Sequence, residues 1–183
     1  MDFEAVFKVL IEQFKKYDIP FALMGGFALH AAGYSRATQD IDCLIDQKDA
    51  PKVKVIFASL GYEILHESED ILNFGSRLKE LGKIDFLLAH RKYAKKMLER
   101  AKEQNLFDKT LKVKVILPED IIGLKVQASS NDSSRFSQDM ADIEALMRLN
   151  KNSLDLELIR GYFELFDRRQ EFEQILKRIQ NVK

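Results

Sequence analysis

The sequence is poor in the features that mark disulfide-bonded, thiolate-metal and membrane-spanning proteins. Cys43 is the only cysteine among 183 residues, which excludes a disulfide within the chain and a cysteine-based zinc site. No apolar run approaches the roughly 18 residues that a membrane span needs, and the N-terminus lacks the basic segment of a signal peptide. These absences predict a cytoplasmic protein with no membrane partner.

Charge and histidine content exclude further simple explanations. Lysine plus arginine and aspartate plus glutamate each number 29, so a net charge of zero gives no general argument for binding nucleic acid. The histidines at positions 30, 66 and 90 share no metal-ligand spacing. One dense basic stretch lies within residues 91–102. A solvated helix face is its simplest interpretation, and a phosphate-binding surface for tRNA or another nucleic acid is the alternative.

Hydrophobic periodicity predicts a mixed N-terminal part and a helical C-terminal part. Helices are predicted over residues 3–16, 27–32, 48–60 and 91–104, and strands over residues 21–24, 40–45, 62–65, 71–77, 83–88 and 110–117. From Pro118 to Val182 the pattern is helical, with interruptions near residues 129–134 and 150–153. We therefore expect a core at 1–117 and a helical subdomain at 118–183 that shares its cleft.

Two aspartates at the start of a predicted strand form the most informative motif. Asp40 and Asp42 are separated by one residue, and residues i and i+2 of a strand project from the same face. Carboxylates held this close repel each other unless a cation lies between them. Oxygen ligands of this kind suit Mg²⁺ or Mn²⁺ rather than zinc. The pair predicts a metal site for phosphate chemistry.

Two further features extend this prediction. The pair Gly25–Gly26 lies between a predicted strand and a predicted helix, where absent side chains let backbone N–H groups approach a phosphate. Asp85 lies in an otherwise apolar strand, where an unpaired buried carboxylate would be costly, so we expect it to face a cation or a cleft. Three convergent carboxylates are what a two-metal phosphoryl or nucleotidyl transfer site needs.

These motifs resemble those of a known superfamily. Residues 24–30, followed by residues 36–42, resemble the Gly-Gly/Ser…Asp-x-Asp signature of the DNA polymerase β-like nucleotidyltransferases, and Asp85 is similar to their third carboxylate. Residues 118–125 and 135–143 resemble the helical motif of the AbiEii-type branch, which comprises toxins of abortive-infection and toxin–antitoxin systems. This chain departs from that motif at position 138, where glutamine replaces the family's common lysine.

The resemblance implies both a fold and an activity. The fold would be α/β (α+β), a nucleotidyltransferase-type mixed twisted sheet flanked by helices, with a C-terminal helical part. The reaction would be Mg²⁺- or Mn²⁺-dependent transfer of a nucleoside monophosphate from an NTP to a hydroxyl of tRNA, protein or a small molecule. The implied metal ligands and catalytic residues are Asp40, Asp42 and Asp85. The implied nucleotide-binding residues are Gly25, Gly26, Arg36, Lys125 and Asp139. A cognate antitoxin is the implied protein partner.

Simpler roles remain open for several of these residues. Arg36 is also compatible with an ordinary loop residue, Lys125 with a helix lysine that extends to solvent, and Asp139 and Asp142 with ion pairs to Arg135. Two rival functions also remain open. One is an aminoglycoside-type antibiotic nucleotidyltransferase, which shares the core but needs an acidic pocket for its cationic substrate. The other is a catalytically idle module that binds nucleotide or a partner protein.

Overall fold

The structure, a computed structural model, describes residues 1–107 and 110–180. The chain divides into two compact units, each built from two segments of sequence. The first unit contains Met1–Ala28 and Arg36–Ile116, and the second contains Leu29–Ser35 and Leu117–Lys183. Residues 181–183, at the end of the predicted helical subdomain, lie outside the described residues.

A seven-stranded mixed sheet forms the centre of the first unit, with strand order β3-β4-β5-β2-β1-β7-β6. Its strands are β1 (Phe21–Leu23), β2 (Ile41–Asp46), β3 (Glu63–Glu67), β4 (Ile71–Gly75), β5 (Lys83–Ala89), β6 (Lys102–Leu106) and β7 (Leu111–Val115). Strand β2 pairs in parallel with β5 and antiparallel with β1, and β4 pairs antiparallel with β5. The helices of this part of the chain are α1 (Phe3–Lys16), α2 (Gly25–Ala31), α3 (Ala50–Ser59) and α4 (Lys92–Arg100).

Aromatic side chains form much of the core on one face of this sheet. Helix α1 buries a stripe at helical spacing, made of Val6, Phe7, Leu10 and Phe14. The rings of Phe14 and Phe57, from α1 and α3, both contact the ring of Phe86 on β5. Because side chains alternate along a strand, Ile84 and Leu88 project from the same face as Phe86, and all three are buried. The residues between them, Asp85 among them, project from the other face.

Four helices make up most of the second unit: α5 (Pro118–Asn131), α6 (Phe136–Leu149), α7 (Leu156–Glu164) and α8 (Arg169–Gln180). A glycine permits the close approach of α5 and α7, because a Cβ at Gly123 would lie 2.7 Å from Cδ2 of Tyr162. The Tyr162 hydroxyl donates a hydrogen bond to Asp120 Oδ1 at 2.7 Å. The Asn150 side-chain amide donates to the carbonyl of Ala32 at 3.1 Å, which ties the short segment of this unit to its helices.

The predicted fold class is confirmed: a mixed sheet flanked by helices is followed by a helical C-terminal part. Two details of the predicted elements are wrong. The C-terminal helical pattern has a further break, between Glu164 and Arg169, and one predicted helix is wrong at its end. The helix expected over residues 91–104 ends at Arg100, and Lys102–Leu106 forms strand β6. This strand lies at the sheet edge, where its first four residues are exposed, so it carries no apolar alternation that would indicate a strand. Among the described residues, no helix is long and apolar enough to cross a membrane.

Candidate active site

Strands β2 and β5 bring two of the predicted carboxylates side by side. In their parallel pairing, Asp42 is the direct partner of Asp85, and paired residues on neighbouring strands project from the same face of a sheet. Both aspartates are half-buried, whereas Cys43 and Phe86, which point to the other face, are buried. The two carboxylates therefore share a face of the sheet that solvent reaches.

Asp40 lies one residue before β2 and acts electrostatically on Asp85. The Thr38 hydroxyl donates to the Asp40 carbonyl at 3.0 Å, which holds the backbone at the entrance to the strand. Burial raises the pKa of the Asp85 carboxyl, a hydrogen bond from Asn73 lowers it, and the charge of Asp40 raises it; the net effect is a pKa above the ordinary aspartate value. In residues 1–107 and 110–180, no three histidine, cysteine, aspartate or glutamate side chains form a group ready to hold a metal ion.

The glycine pair leaves room for these carboxylates. Gly25 has φ +59°, and a Cβ placed on it would lie 2.5 Å from Cγ of Asp42. A Cβ on Gly26 would lie 2.5 Å from Cβ of Thr38. The backbone is fixed here as well, since Met24 N–H donates to the Asp42 carbonyl at 2.9 Å. Any side chain at either glycine would therefore displace Asp42 or Thr38, and the absence of side chains keeps the backbone beside Asp42 accessible.

Asn73 was not singled out by the sequence analysis, although it touches a predicted catalytic residue. It lies on β4 directly opposite Asp85, and its Nδ2 donates to Asp85 Oδ1 at 2.7 Å. The available signal was a polar residue within the apolar strand Ile71–Gly75, the same kind of signal that identified Asp85.

The remaining predicted residues lie elsewhere in the chain. Arg36 is exposed in the loop that leads from α2 to Asp40. Lys125 belongs to the second unit, where its ammonium donates to Asp139 at 2.9 Å and to Asp142 at 2.6 Å.

These three residues belong to a larger ionic cluster between α5 and α6. Asp139 is 1% exposed and Asp142 is fully buried, and the Lys125 side chain is 11% exposed. Arg135 donates to the second oxygen of Asp139 at 3.2 Å, and Gln138 donates to the second oxygen of Asp142 at 2.9 Å. The cations of the cluster thus compensate two carboxylates that would otherwise be costly to bury.

The family follows from a match that covers nearly the whole chain. Residues 9–181 match the family described as nucleotidyl transferase AbiEii toxin, type IV TA system. The chain belongs to the AbiEii family. This confirms the resemblance found in the motifs, and membership of a nucleotidyltransferase family implies an NTP substrate for this AbiEii protein.

Solved structures support the same fold. The antibiotic-resistance factor ANT(2'')-Ia matches with a TM-score of 0.63 at 16% identity, over 95% of this chain and 97% of the other. The lincosamide antibiotic adenylyltransferase LnuA matches with a TM-score of 0.56 at 18% identity, over 78% of this chain and 95% of the other. A nucleotidyltransferase-like protein from Paracoccidioides brasiliensis gives 0.57 at 19% identity, over 96% and 92%. No curated protein matches the AbiEii chain.

Proposed function

We propose that this AbiEii-family protein is a divalent-metal-dependent enzyme that transfers a nucleoside monophosphate from an NTP to an acceptor hydroxyl. The observation that carries the proposal is the register of β2 and β5, in which Asp42 pairs directly with Asp85 on a half-buried face. The charge of Asp40 acts on the same carboxyl group. Three acidic side chains of this kind, close to a glycine pair, are suited to phosphate chemistry.

The donor set fits Mg²⁺ or Mn²⁺. Asp40, Asp42 and Asp85 offer only oxygen ligands, which these hard cations prefer. Glycine at position 25 is compatible with such a metal site, because any Cβ there would occupy the space of the Asp42 carboxylate. When bound, the metal would neutralise phosphate charge and stabilise the attacking and leaving oxygens.

The protein's own groups orient the substrate and handle one proton. Backbone N–H groups of Gly25 and Gly26 hold the β- and γ-phosphates of the NTP, and Arg36 supplies a further phosphate contact from the adjoining loop. The acceptor oxygen forms a bond to the α-phosphorus as the bond from that phosphorus to the α,β-bridging oxygen breaks. Pyrophosphate leaves with the bonding electrons, and Asp85 accepts the proton of the acceptor hydroxyl.

The proposal is tested with Asp42→Asn, which keeps the shape of the side chain and removes its charge. We expect it to abolish nucleotide transfer and metal-dependent NTP binding, while the circular dichroism spectrum stays that of the wild type. Asp46→Asn is a matched control, because Asp46 lies on the same strand and face and accepts a hydrogen bond from Lys48 N–H, which asparagine can also accept. Wild-type transfer by Asp42→Asn would overturn the proposal.

The acceptor is a separate question, and one surface favours a phosphate-bearing molecule. Helix α4 and the residue before it expose Arg91, Lys92, Lys95 and Lys96, a cluster suited to a nucleic-acid backbone. Incubation with labelled NTPs and either total tRNA, total protein or aminoglycosides identifies the acceptor class by which fraction retains the label. A double substitution of Lys95 and Lys96 with glutamate should reduce labelling of tRNA and leave NTP binding unchanged.

The rival functions predict other outcomes of the same experiments. An antibiotic-modifying enzyme, as LnuA is described, would protect growing cells from a drug. A toxin would instead arrest growth on expression, and a cognate antitoxin would relieve that arrest. An idle binding module would label no acceptor. Absence of a thermal shift with every NTP in the presence of Mg²⁺ would favour binding of a partner protein instead.

A further inference from the structure

We propose that Asn73 is a positioning residue that holds the Asp85 carboxylate in its working orientation. The inference rests on the proposed function, since it assigns Asn73 a role through one of the proposed metal ligands. It concerns a residue outside the motifs that identify the family.

The geometry of this contact is fixed by the sheet on both sides. Asn73 and Asp85 are direct partners in the antiparallel pairing of β4 and β5, so their side chains project from the same face. Asn73 Nδ2 donates to Asp85 Oδ1 at 2.7 Å, a short bond for an amide to a carboxylate. A carboxylate with one oxygen held in this way cannot turn freely about its terminal bond, so the direction of its second oxygen is also fixed.

The orientation of the amide follows from the charge of its partner. Turning the amide around would place Asn73 Oδ1 against the Asp85 carboxylate, acceptor against acceptor. With the donor towards Asp85, the Oδ1 atom is buried and receives no hydrogen bond from the described residues. An unpaired buried acceptor destabilises the folded state.

This cost indicates that Asn73 is not there for stability. The buried Oδ1 atom of Asn73 has no hydrogen-bond partner among the described residues, and a leucine at position 73 would remove that acceptor from the fold. A polar residue that weakens the fold locally is expected where function requires it. Among the described residues, the one hydrogen-bond partner of the Asn73 side chain is Asp85, so the function that this polar residue serves is at Asp85.

The test is Asn73→Leu, which removes both the donor and the unpaired acceptor. We expect kcat to fall about 10- to 100-fold, as is typical when the partner of a metal ligand is lost, with little change in the KM for NTP. Titration with Mn²⁺ alone, followed by electron paramagnetic resonance, should show a dissociation constant raised within the same range of about 10- to 100-fold. The melting temperature should stay close to that of the wild type, because the lost hydrogen bond to Asp85 and the removal of the unpaired acceptor have opposite effects on stability, whereas a purely structural role predicts a lower melting temperature.

Ile71→Ala is the matched control, because Ile71 lies two residues away on the same strand and face but pairs with Leu87. It should leave Mn²⁺ affinity and kcat close to the wild-type values. In an Asp85→Asn background, Asn73→Leu should cause no further loss of Mn²⁺ affinity, because the group that it positions is already gone.

Three results separate this inference from the proposed function. Wild-type kcat and Mn²⁺ affinity in Asn73→Leu would overturn the role of Asn73 alone. A lowered melting temperature with unchanged Mn²⁺ affinity would also overturn it, since that result describes a structural residue. Absence of nucleotide transfer by the wild type with every NTP would overturn the proposed function, and the Mn²⁺ titration would still decide the role of Asn73.

Discussion

Gly25 occupies a position that no other residue type can take without moving Asp42. Its φ of +59° lies in the left-handed region, and a Cβ there would be 2.5 Å from Asp42 Cγ. Gly61 has a φ of +82° but open space where a Cβ would lie. Substitution of Gly61 would therefore cause backbone strain alone, whereas substitution of Gly25 would also displace the Asp42 carboxylate.

We predict that Gly25→Ala and Gly61→Ala both destabilise the fold, by about 1–2 kcal/mol for the left-handed backbone. Only Gly25→Ala should also reduce kcat, by about 100-fold, because displacement of a reacting group by about 1 Å has an effect of that order. Denaturant unfolding and steady-state kinetics on both variants provide the measurement. Equal kcat values for the two variants would show that Asp42 is not displaced.

Tyr62 makes stability depend on pH in the alkaline range. Its hydroxyl donates to the Leu81 carbonyl at 2.9 Å, and burial raises the pKa of its phenol to about 12, from an ordinary value of about 10. A raised pKa in the folded state means that the neutral phenol stabilises the fold fully below about pH 10, and that this contribution is lost between about pH 10 and 12.

The corresponding prediction compares Tyr62→Phe with the wild type. The variant should be less stable at neutral pH, because the hydrogen bond is gone, and the difference should narrow between about pH 10 and 12. Unfolding free energies across that range, with phenolate absorbance in parallel, give the measurement. Tyr17→Phe, at an exposed ring, is the control and should show no such narrowing. A constant difference for Tyr62→Phe would contradict the prediction.

At the scale of elements, local pattern determines what the sequence can predict. The apolar stripe of α1 and the apolar runs of β2 and β5 were sufficient to predict those elements, because their signals lie within a few residues. That Asp42 and Asp85 lie in strands was predictable for the same reason. Their direct pairing was not, since strand order and register depend on contacts between distant segments. Asn73 was missed because only the pairing of β4 with β5 places it beside Asp85.

Edge strand β6 shows the opposite case. Its residues Lys102–Asn105 are polar and exposed, so local pattern favours continuation of the preceding helix. Pairing with β7, in which Lys102 is opposite Val115, determines its conformation. Tertiary pairing therefore decided this element against its own sequence preference.

The link between α5 and α6 is the element whose stability depends most clearly on charge. Replacing Lys125 with methionine would leave Asp139 and Asp142 buried without the ammonium that contacts both. We predict a loss of stability of about 3–5 kcal/mol, the usual effect of breaking a buried ion pair from one side. Lys151→Met, at an exposed lysine, should change stability by no more than about 0.5 kcal/mol.

The same variant tests the proposed nucleotide contact of Lys125. If the lysine acts only within its cluster, adding Asp139→Asn and Asp142→Asn to Lys125→Met should recover stability. The KM of the folded enzyme for NTP should then equal that of the wild type. A raised KM in the folded fraction would instead support a nucleotide contact. Thermal unfolding and steady-state kinetics measure the two effects separately, and stability equal to that of Lys151→Met would contradict the structural role.

At the scale of the whole molecule, family membership was predictable and the acceptor was not. Gly25–Gly26, Asp40, Asp42 and Asp85 are a local signature of one chemistry, which a sequence displays directly. Recognition of an acceptor depends on a surface assembled from many segments, and a net charge of zero gives no guide to it.

The division into units gives a prediction about where the chain can be cut. The sequence pattern places a boundary at residue 117, but the second unit also contains Leu29–Ser35. Within that unit, the Asn150 side chain donates to the Ala32 carbonyl, so a fragment of residues 1–117 would lack the partner of this segment. We expect the fragment to melt at a lower temperature than the full chain, with fast hydrogen exchange at residues 29–35. Asn150→Ala in the full chain removes the two hydrogen bonds that this side chain donates, to the carbonyls of Ala32 and Leu146, and should lower stability by about 1–2 kcal/mol. A fragment with full-length melting temperature and protected amides at 29–35 would show that the segment folds without the helices.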